Sequence, residues 1–216
     1  MSQPTLTVNE IFYSIQGEAS HSGLPCAFVR LTACDLRCRW CDTEYAFHEG
    51  SPMAVDEIVA RIREVGCPLV EITGGEPLLQ PQAPVLVQAL LDDGFQVLVE
   101  TGGHLDVSVL DRRAHIIMDI KCPGSGESGR NLWENLEHLD CSDMLKFVLA
   151  DREDYRWACD VLRERELAQR CPVFFSPVHG ELDPAELAGW MLEDGVAARL
   201  QLQLHKLLWG PDRRGV

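Results

Sequence analysis

Positive charge is scarce in this chain: 19 Lys and Arg stand against 34 Asp and Glu among 216 residues, a formal net charge of −15. A surface of that sign repels phosphate backbones. No Lys/Arg-rich run makes a local exception, the tail pair Arg213-Arg214 being too short to count, so direct binding of nucleic acid is excluded as the main activity. Long apolar runs are missing too. Nothing approaches the ~20 residues that span a bilayer, and the opening MSQPTLTVNEIF has neither the basic n-region nor the apolar h-region of a secretory signal. The expectation is a cytoplasmic protein with no membrane partner. Repeats and low-complexity tracts are absent, with Ser, Gly and Pro gathering only at turns such as HEGSP (48–52) and CPGSGESG (122–129). One domain over residues 1–216 is expected, able to bury a sizeable core but short of the ~250 residues of a complete eightfold β/α barrel. Disulfides are a poor fit as well: nine cysteines is an odd count in a chain too large to need staples, so the thiols are expected reduced.

Short apolar or β-branched runs recur at 27–31, 69–73, 96–100, 115–120, 144–149, 172–176 and 199–204, and read as strands. Helical patterns lie between several of them. Ile58, Ile62 and Val65 repeat at i, i+4, i+7 before Gly66, which predicts a helix from about Pro52 to Val65. Asp183 is placed to cap a helix that begins at Pro184, buries Leu187 and Met191, and ends before Gly195. Alternation of strand and helix makes this an α/β protein with mostly parallel strands, an incomplete TIM-like β/α barrel. Reactive groups in such folds gather at the carboxyl ends of the strands. Thr73-Gly74-Gly75-Glu76-Pro77, Glu100-Thr101, Asp119-Ile120-Lys121, Ser176-Pro177 and His205-Lys206 are expected at that rim.

Just after the first of these strands stands CDLRCRWC, with Cys34, Cys38 and Cys41 in the spacing C-x3-C-x2-C. Three thiolates converge and stop one short of a closed site, whereas structural zinc sites and ordinary ferredoxin clusters take four protein ligands. A zinc site completed by a distant histidine remains open on spacing alone, although no second C-x2-C and no H-x3-H pair occurs. Cys26, Cys67, Cys141, Cys159 and Cys171 are isolated and read as small buried hydrophobes. Cys122, beside Lys121, also reads as structural.

The cysteine spacing, the aromatic Trp40 before the third cysteine, and Gly74-Gly75-Glu76-Pro77 after the next strand together resemble the radical S-adenosylmethionine enzymes. The resemblance implies a radical SAM core with a 4Fe-4S cluster on Cys34, Cys38 and Cys41. Its open iron chelates S-adenosylmethionine, whose reductive cleavage yields a 5'-deoxyadenosyl radical. Gly75 lets backbone approach the ligand's ammonium, and Glu76 adds a carboxylate acceptor. A narrower likeness, carried by FYSIQGE (12–18), Arg30, Asp42-Thr43, DIKCPGSG from Asp119 and QLHK (203–206), covers nearly the whole chain and is similar to the 7-carboxy-7-deazaguanine synthase family. It implies a carbon–nitrogen lyase that converts 6-carboxy-5,6,7,8-tetrahydropterin to 7-carboxy-7-deazaguanine with loss of ammonia, on the way to queuosine and related deazapurines.

Residue roles follow from that likeness. Arg30 offers a bidentate fork to the substrate carboxylate. Ile15, Gln16 and Gly17 read the pterin edge, Glu18 accepts from its N–H groups, and Thr73 joins them. Thr43 is the protein ligand of a Mg2+ ion that keeps waters and borrows ligands from substrate; by itself Asp42-Thr43 reads as a turn or helix cap. Trp40, Cys41, Asp42, Gly75, Glu76, the Asp119–Ile120–Lys121 strand end and Ser176, Pro177, Val178 and His179 surround S-adenosylmethionine. Glu100 and His205 are the acid–base candidates. The likeness further implies a homodimer and a reductant such as flavodoxin or ferredoxin. Some members of the family end soon after the H-K pair, whereas this chain runs on to Val216, so no terminal contact is carried over. Two other readings share features of the chain: a glycyl-radical-enzyme activase, and a non-catalytic zinc or iron-sulfur binding module.

Overall fold

The computed structural model describes residues 3–216. Its strands are β1 (Thr5–Ile15), β2 (Pro25–Leu31), β3 (Ser51–Ala54), β4 (Leu69–Gly74), β5 (Gln96–Thr101), β6 (His115–Ile120), β7 (Met144–Leu149), β8 (Val173–Pro177) and β9 (Arg199–Leu200). Helices α1 (Val55–Val65), α2 (Ala83–Asp92), α3 (Arg152–Glu164), α4 (Pro184–Asp194) and α5 (Leu204–Trp209) join or follow them. One sheet contains all nine strands in the order β3-β1-β2-β4-β5-β6-β7-β8-β9. From β2 to β9 every pairing is parallel, and only the β1–β2 and β1–β3 pairs are antiparallel. The sheet stays open, which gives the incomplete barrel expected from chain length.

Local chemistry explains the boundaries. The expected helix from Pro52 starts three residues later, because Ser51–Ala54 pairs with β1 (Val8 with Ser51, Thr5 with Ala54) as an edge strand, where proline's missing N–H costs no ladder bond. Helix α1 then buries Val55, Ile58, Val59 and Ile62 and ends at Gly66, whose φ of 70° closes the left-handed cap. Helix α4 behaves as expected: Asp183 accepts from the Ala185 N–H at 2.8 Å and Gly195 ends it at φ 59°. Strand β9 is only Arg199–Leu200. The chain then leaves the ladder, and His205 sits on α5 instead of at a strand end.

Strands β4 to β7 are almost wholly buried, yet each carries a charged residue: Glu71, Glu100, Asp119 and Lys146. All four line one cavity on the concave side of the sheet, while the other face packs apolar side chains such as Ile72, Val99 and Phe147 into the core. No helix among the described residues is long and apolar enough to cross a membrane.

Candidate active site

The cavity is about 770 Å³. It collects Ile15, Gln16, Gly17, Glu18, Arg30, Cys34, Cys38, Trp40, Cys41, Asp42, Thr43, Thr73, Gly75, Glu76, Glu100, Asp119, Lys121, Val178, His179 and His205, nearly every site residue expected from sequence. Three expected residues do not line it. Ile120 packs into the core behind Asp119, as strand alternation requires, and Ser176 and Pro177 are covered within β8.

The loop that carries the cysteines is held from several sides. It leaves β2 through Ala33, a non-glycine at φ 82°, a left-handed conformation of the kind strained loops concentrate at functional sites. The Ala33 carbonyl accepts from the Glu76 N–H at 2.8 Å. A Cβ on Gly75 would fall 2.4 Å from that carbonyl oxygen and 2.7 Å from the Cys34 Cβ. Only glycine therefore lets the end of β4 lie against the cysteine loop. Asp35 adds a second anchor, with Oδ1 2.6 Å from the His104 Nε2 and Oδ2 accepting from Arg130 at 2.7 Å.

All nine cysteines are free thiols. Burial pushes the Cys38 thiol up to about 11, against the pull of the nearby Lys121 ammonium. Cys122 is buried and its thiol is pushed far upward, consistent with an inert structural residue. Cys141 is exposed and Cys159 half-buried, so the expectation of small buried hydrophobes holds for Cys26, Cys67 and Cys171 but not for those two.

Glu76 differs from its expected role. It is 1% exposed, and its carboxylate accepts from the Leu78 N–H at 2.9 Å, the Gly102 N–H at 2.8 Å and the Thr101 hydroxyl at 2.9 and 3.0 Å. These three donors fasten the end of β4 to the end of β5, so Glu76 shapes the wall of the cavity it lines.

Opposite the cysteines lies the charged floor. The Lys146 ammonium donates to Glu18 Oε2 at 2.7 Å and to Glu100 Oε1, and stands 3.8 Å from Asp119 Oδ2. Asp119 pairs with Lys121 at 3.0 Å. Glu18 also accepts from Gln201 at 3.1 Å and Gln203 at 2.9 Å. Burial works to raise the Glu18 carboxyl, and the Lys146 ammonium outweighs it to hold the group below its ordinary value. Burial lowers His205, against the pull of Glu18, and keeps a neutral imidazole at pH 7. A Cβ on Gly17 would meet the His205 Nδ1 at 2.8 Å, so the Gln16-Gly17-Glu18 turn and α5 require each other.

Arg30 projects from β2 with its Nε donating to Glu10 Oε1 at 2.8 Å, and Tyr45 donates to the same oxygen at 3.0 Å. The guanidinium also lies 5.7 Å from the Phe12 ring centroid and 5.8 Å from that of Tyr45. Among the described residues its terminal nitrogens take no acceptor, and they remain a fork at the cavity. Thr43 occupies the N-cap of the short turn Glu44–Phe47, yet its hydroxyl makes no capping bond.

Sequence reasoning missed Glu10, Tyr45, Glu71, Lys146 and Glu181, and the return of Pro211–Val216 along the cavity. A lone charge in an otherwise apolar strand, as in LVEIT and MLKFVL, was the available signal for Glu71 and Lys146. The donor set fits a three-cysteine cluster with a small-molecule ligand beside it: Cys34, Cys38 and Cys41 line one cavity, a glycine contact holds their loop and Arg30 borders the same space, although among the described residues no three donors stand close enough together to hold a single metal ion.

The radical SAM superfamily model matches residues 29–121. The chain is 47% identical to the 7-carboxy-7-deazaguanine synthase of Chlorobaculum tepidum, across 100% of this chain and 99% of that one. It is 44% identical to the enzyme of the same name from Koribacter versatilis, across 98% and 100%. Among solved structures, QueE from Escherichia coli matches with a TM-score of 0.77 over 92% of this chain and 94% of that one, a likeness of fold at 21% identity. The chain belongs to the 7-carboxy-7-deazaguanine synthase family of radical S-adenosylmethionine enzymes.

Proposed function

We propose that this cavity converts 6-carboxy-5,6,7,8-tetrahydropterin to 7-carboxy-7-deazaguanine with release of ammonia, and that its two walls divide the work. Cys34, Cys38 and Cys41 hold the 4Fe-4S cluster, and Trp40, Asp42, the Gly75 backbone, Asp119, Lys121, Val178 and His179 surround S-adenosylmethionine. Cluster and cofactor, when bound, supply hydrogen-atom abstraction from the substrate.

This chain's own residues do the rest. Arg30 takes the substrate carboxylate on its terminal nitrogens, oriented through the bond from its Nε to Glu10. Glu18 Oε1, with Gln203 as its one hydrogen-bond donor among the described residues, has a lone pair left for a pterin N–H. Gln16, Gly17 and Thr73 line the same edge. Thr43 presents a hydroxyl that makes no capping bond to a Mg2+ ion shared with substrate, a hard cation suited to one protein oxygen plus waters. Glu100, fixed by Lys146, and the neutral His205 are the groups able to carry a proton while ammonia leaves.

The observation that carries this reading is the Arg30 fork and the three thiols facing one cavity. A low-potential carrier such as flavodoxin or ferredoxin supplies the electron, and the working unit is a cytoplasmic homodimer; family likeness supports both. The acidic surface supports action on the free pterin. The test is anaerobic reconstitution, with S-adenosylmethionine, Mg2+, a reductant and the carboxytetrahydropterin. Ammonia and the deazaguanine are expected in equal amounts, and their absence with an intact cluster overturns the assignment.

A further inference from the structure

Glu71 is used by nothing above. It lies in the middle of β4, is 2% exposed, and borders the floor of the cavity beneath Thr73. Its hydrogen-bond partners determine where protons sit. The Gln16 side-chain oxygen accepts from the backbone N–H of Glu18, which can only donate, so the orientation of the Gln16 amide is settled. Its Nε2 must then face Glu71, to which it donates at Oε2 over 2.6 Å. Oε2 is thus the accepting oxygen of Glu71, which leaves Oε1 to carry any proton. Across the ladder Glu71 stands opposite Leu98, so Glu100, two residues further along β5, projects from the same face of the sheet as its diagonal neighbour, and both carboxyl groups border the cavity. Two neighbouring carboxyl groups in a buried site do not both ionise, and a proton shared between them relieves the repulsion.

The charges around the pair agree. Glu71 is faced by Glu100 from β5, Glu18 from the turn after β1 and the Cys26 thiol of β2, and Lys146 from β7 borders the same cavity. Helix α5 brings His205 towards Glu18 and Glu100. Lys146 is the only cation among these, and its near oxygens belong to Glu18, Glu100 and Asp119. Glu18, Glu100 and Asp119 therefore take that ammonium between them, and Glu71 has no contact to it.

We propose that Glu71 is an un-ionised acid that shares its proton with Glu100 and acts as a positioning residue, holding the Glu100 carboxylate at the substrate while Lys146 holds it from the other side. Burial together with the neighbouring Glu100 pushes the Glu71 carboxyl well above the usual carboxylate range, in the same direction as the geometry. The proton stays on Glu71 through turnover, so no group beyond those named has to supply or remove one. The catalytic part of this inference rests on Glu100 facing substrate as assigned above; the shared proton does not.

The test uses the full-length, cluster-loaded enzyme. In infrared spectra of protein carrying 13C-carboxyl glutamate, a protonated carboxyl band is expected at pH 7 without substrate, and Glu71→Gln should abolish it. If that band is missing from the wild type, or survives in Glu71→Gln, the proposal is overturned. Kinetics form the second arm. Glu71→Ala, which removes the donor, is expected to lower kcat about tenfold and to move the acid limb of the pH–rate profile upward by about one pH unit, the scale of one charge-assisted hydrogen bond. Glu71→Gln keeps an N–H donor for Glu100 and an acceptor for Gln16, and should restore most of the lost rate and return the acid limb to its wild-type position. Equal loss in both variants with fold and cluster intact overturns the positioning role. Full activity of Glu100→Gln, with the Glu71 band present in the wild type and absent from Glu71→Gln, overturns the catalytic assignment of Glu100 and leaves the un-ionised Glu71 of the wild type standing, so the two failures are distinct.

Discussion

The Lys206 ammonium on α5 lies 2.6 Å from Oδ2 of Asp42, the residue that follows the third cysteine. This pair joins the C-terminal helix to the cysteine loop across the mouth of the cavity. Burial would raise the Asp42 carboxyl, and Lys206 instead holds it below the usual carboxylate range. A depressed carboxylate contributes above its unfolded value and loses that contribution as pH falls through its folded one. Lys206→Ala should therefore lower Tm modestly at pH 7, Asp42 being 42% exposed at its side chain, and the difference from wild type should vanish towards pH 3. A thermal-melt series across pH decides it. A difference independent of pH would mean that α5 is held by packing alone.

Lys146 is 6% exposed and serves Glu18, Glu100 and Asp119. Lys146→Met leaves buried carboxylates without a cation, which costs about 3–5 kcal/mol. The sign with pH is fixed by the partners. Glu18 is held low by Lys146, so its share is present at neutral pH and disappears on acidification, while the upward-shifted Lys146 loses its own share only in strong alkali. Urea denaturation should show the full loss at pH 7 and a smaller one near pH 4. A constant loss would assign the effect to shape.

Arg30→Lys keeps the charge and removes the fork. The terminal nitrogens of Arg30 are the unpartnered ones, its Nε being taken by Glu10, and a charge-assisted hydrogen bond contributes about 1.5–3 kcal/mol. KM for the carboxytetrahydropterin should rise about 10- to 100-fold. An analogue lacking the carboxylate should bind the two proteins equally. If both substrates weaken together, Arg30 shapes the pocket without reading the carboxylate.

What the sequence revealed and what it hid follow from where the chemistry is encoded. The cysteine run, GGEP and FYSIQGE are local strings, and the structure brings them to one cavity as their spacing implied. The floor is different. Glu71 and Lys146 are single charges in otherwise apolar strands, and their meaning depends on Gln16, Glu18 and Glu100 arriving from elsewhere in the chain. The run 199–204 has strand-like composition, yet only Arg199–Leu200 is strand, Gln201 keeps one backbone bond to Phe175 while its side chain and that of Gln203 turn to Glu18, and α5 begins at Leu204. β1 was hidden because TLTVNEIFYSI alternates imperfectly, with a register shift between Val8 and Glu10 that turns Glu10 towards Arg30.

Thr43 offers the sharpest separation of chemistry from stability. It stands at the N-cap of Glu44–Phe47 with φ −126° and ψ 33°, but its hydroxyl caps nothing, and its nearest side-chain partner is the Cys41 sulfur at 3.8 Å. Removing a working N-cap hydroxyl costs about 1 kcal/mol; here no such bond exists to lose. Thr43→Ala should therefore melt within about 0.5 kcal/mol of wild type, while Mg2+ no longer stimulates turnover, and Thr43→Ser should keep both properties. One neutral oxygen cannot strip Mg2+ of its waters unaided, so titration of the substrate-free protein should detect no specific binding at this residue. Binding should appear only once the pterin carboxylate is present to share the ion. Stimulation that survives in Thr43→Ala would place the ion on other ligands and return Thr43 to a turn residue.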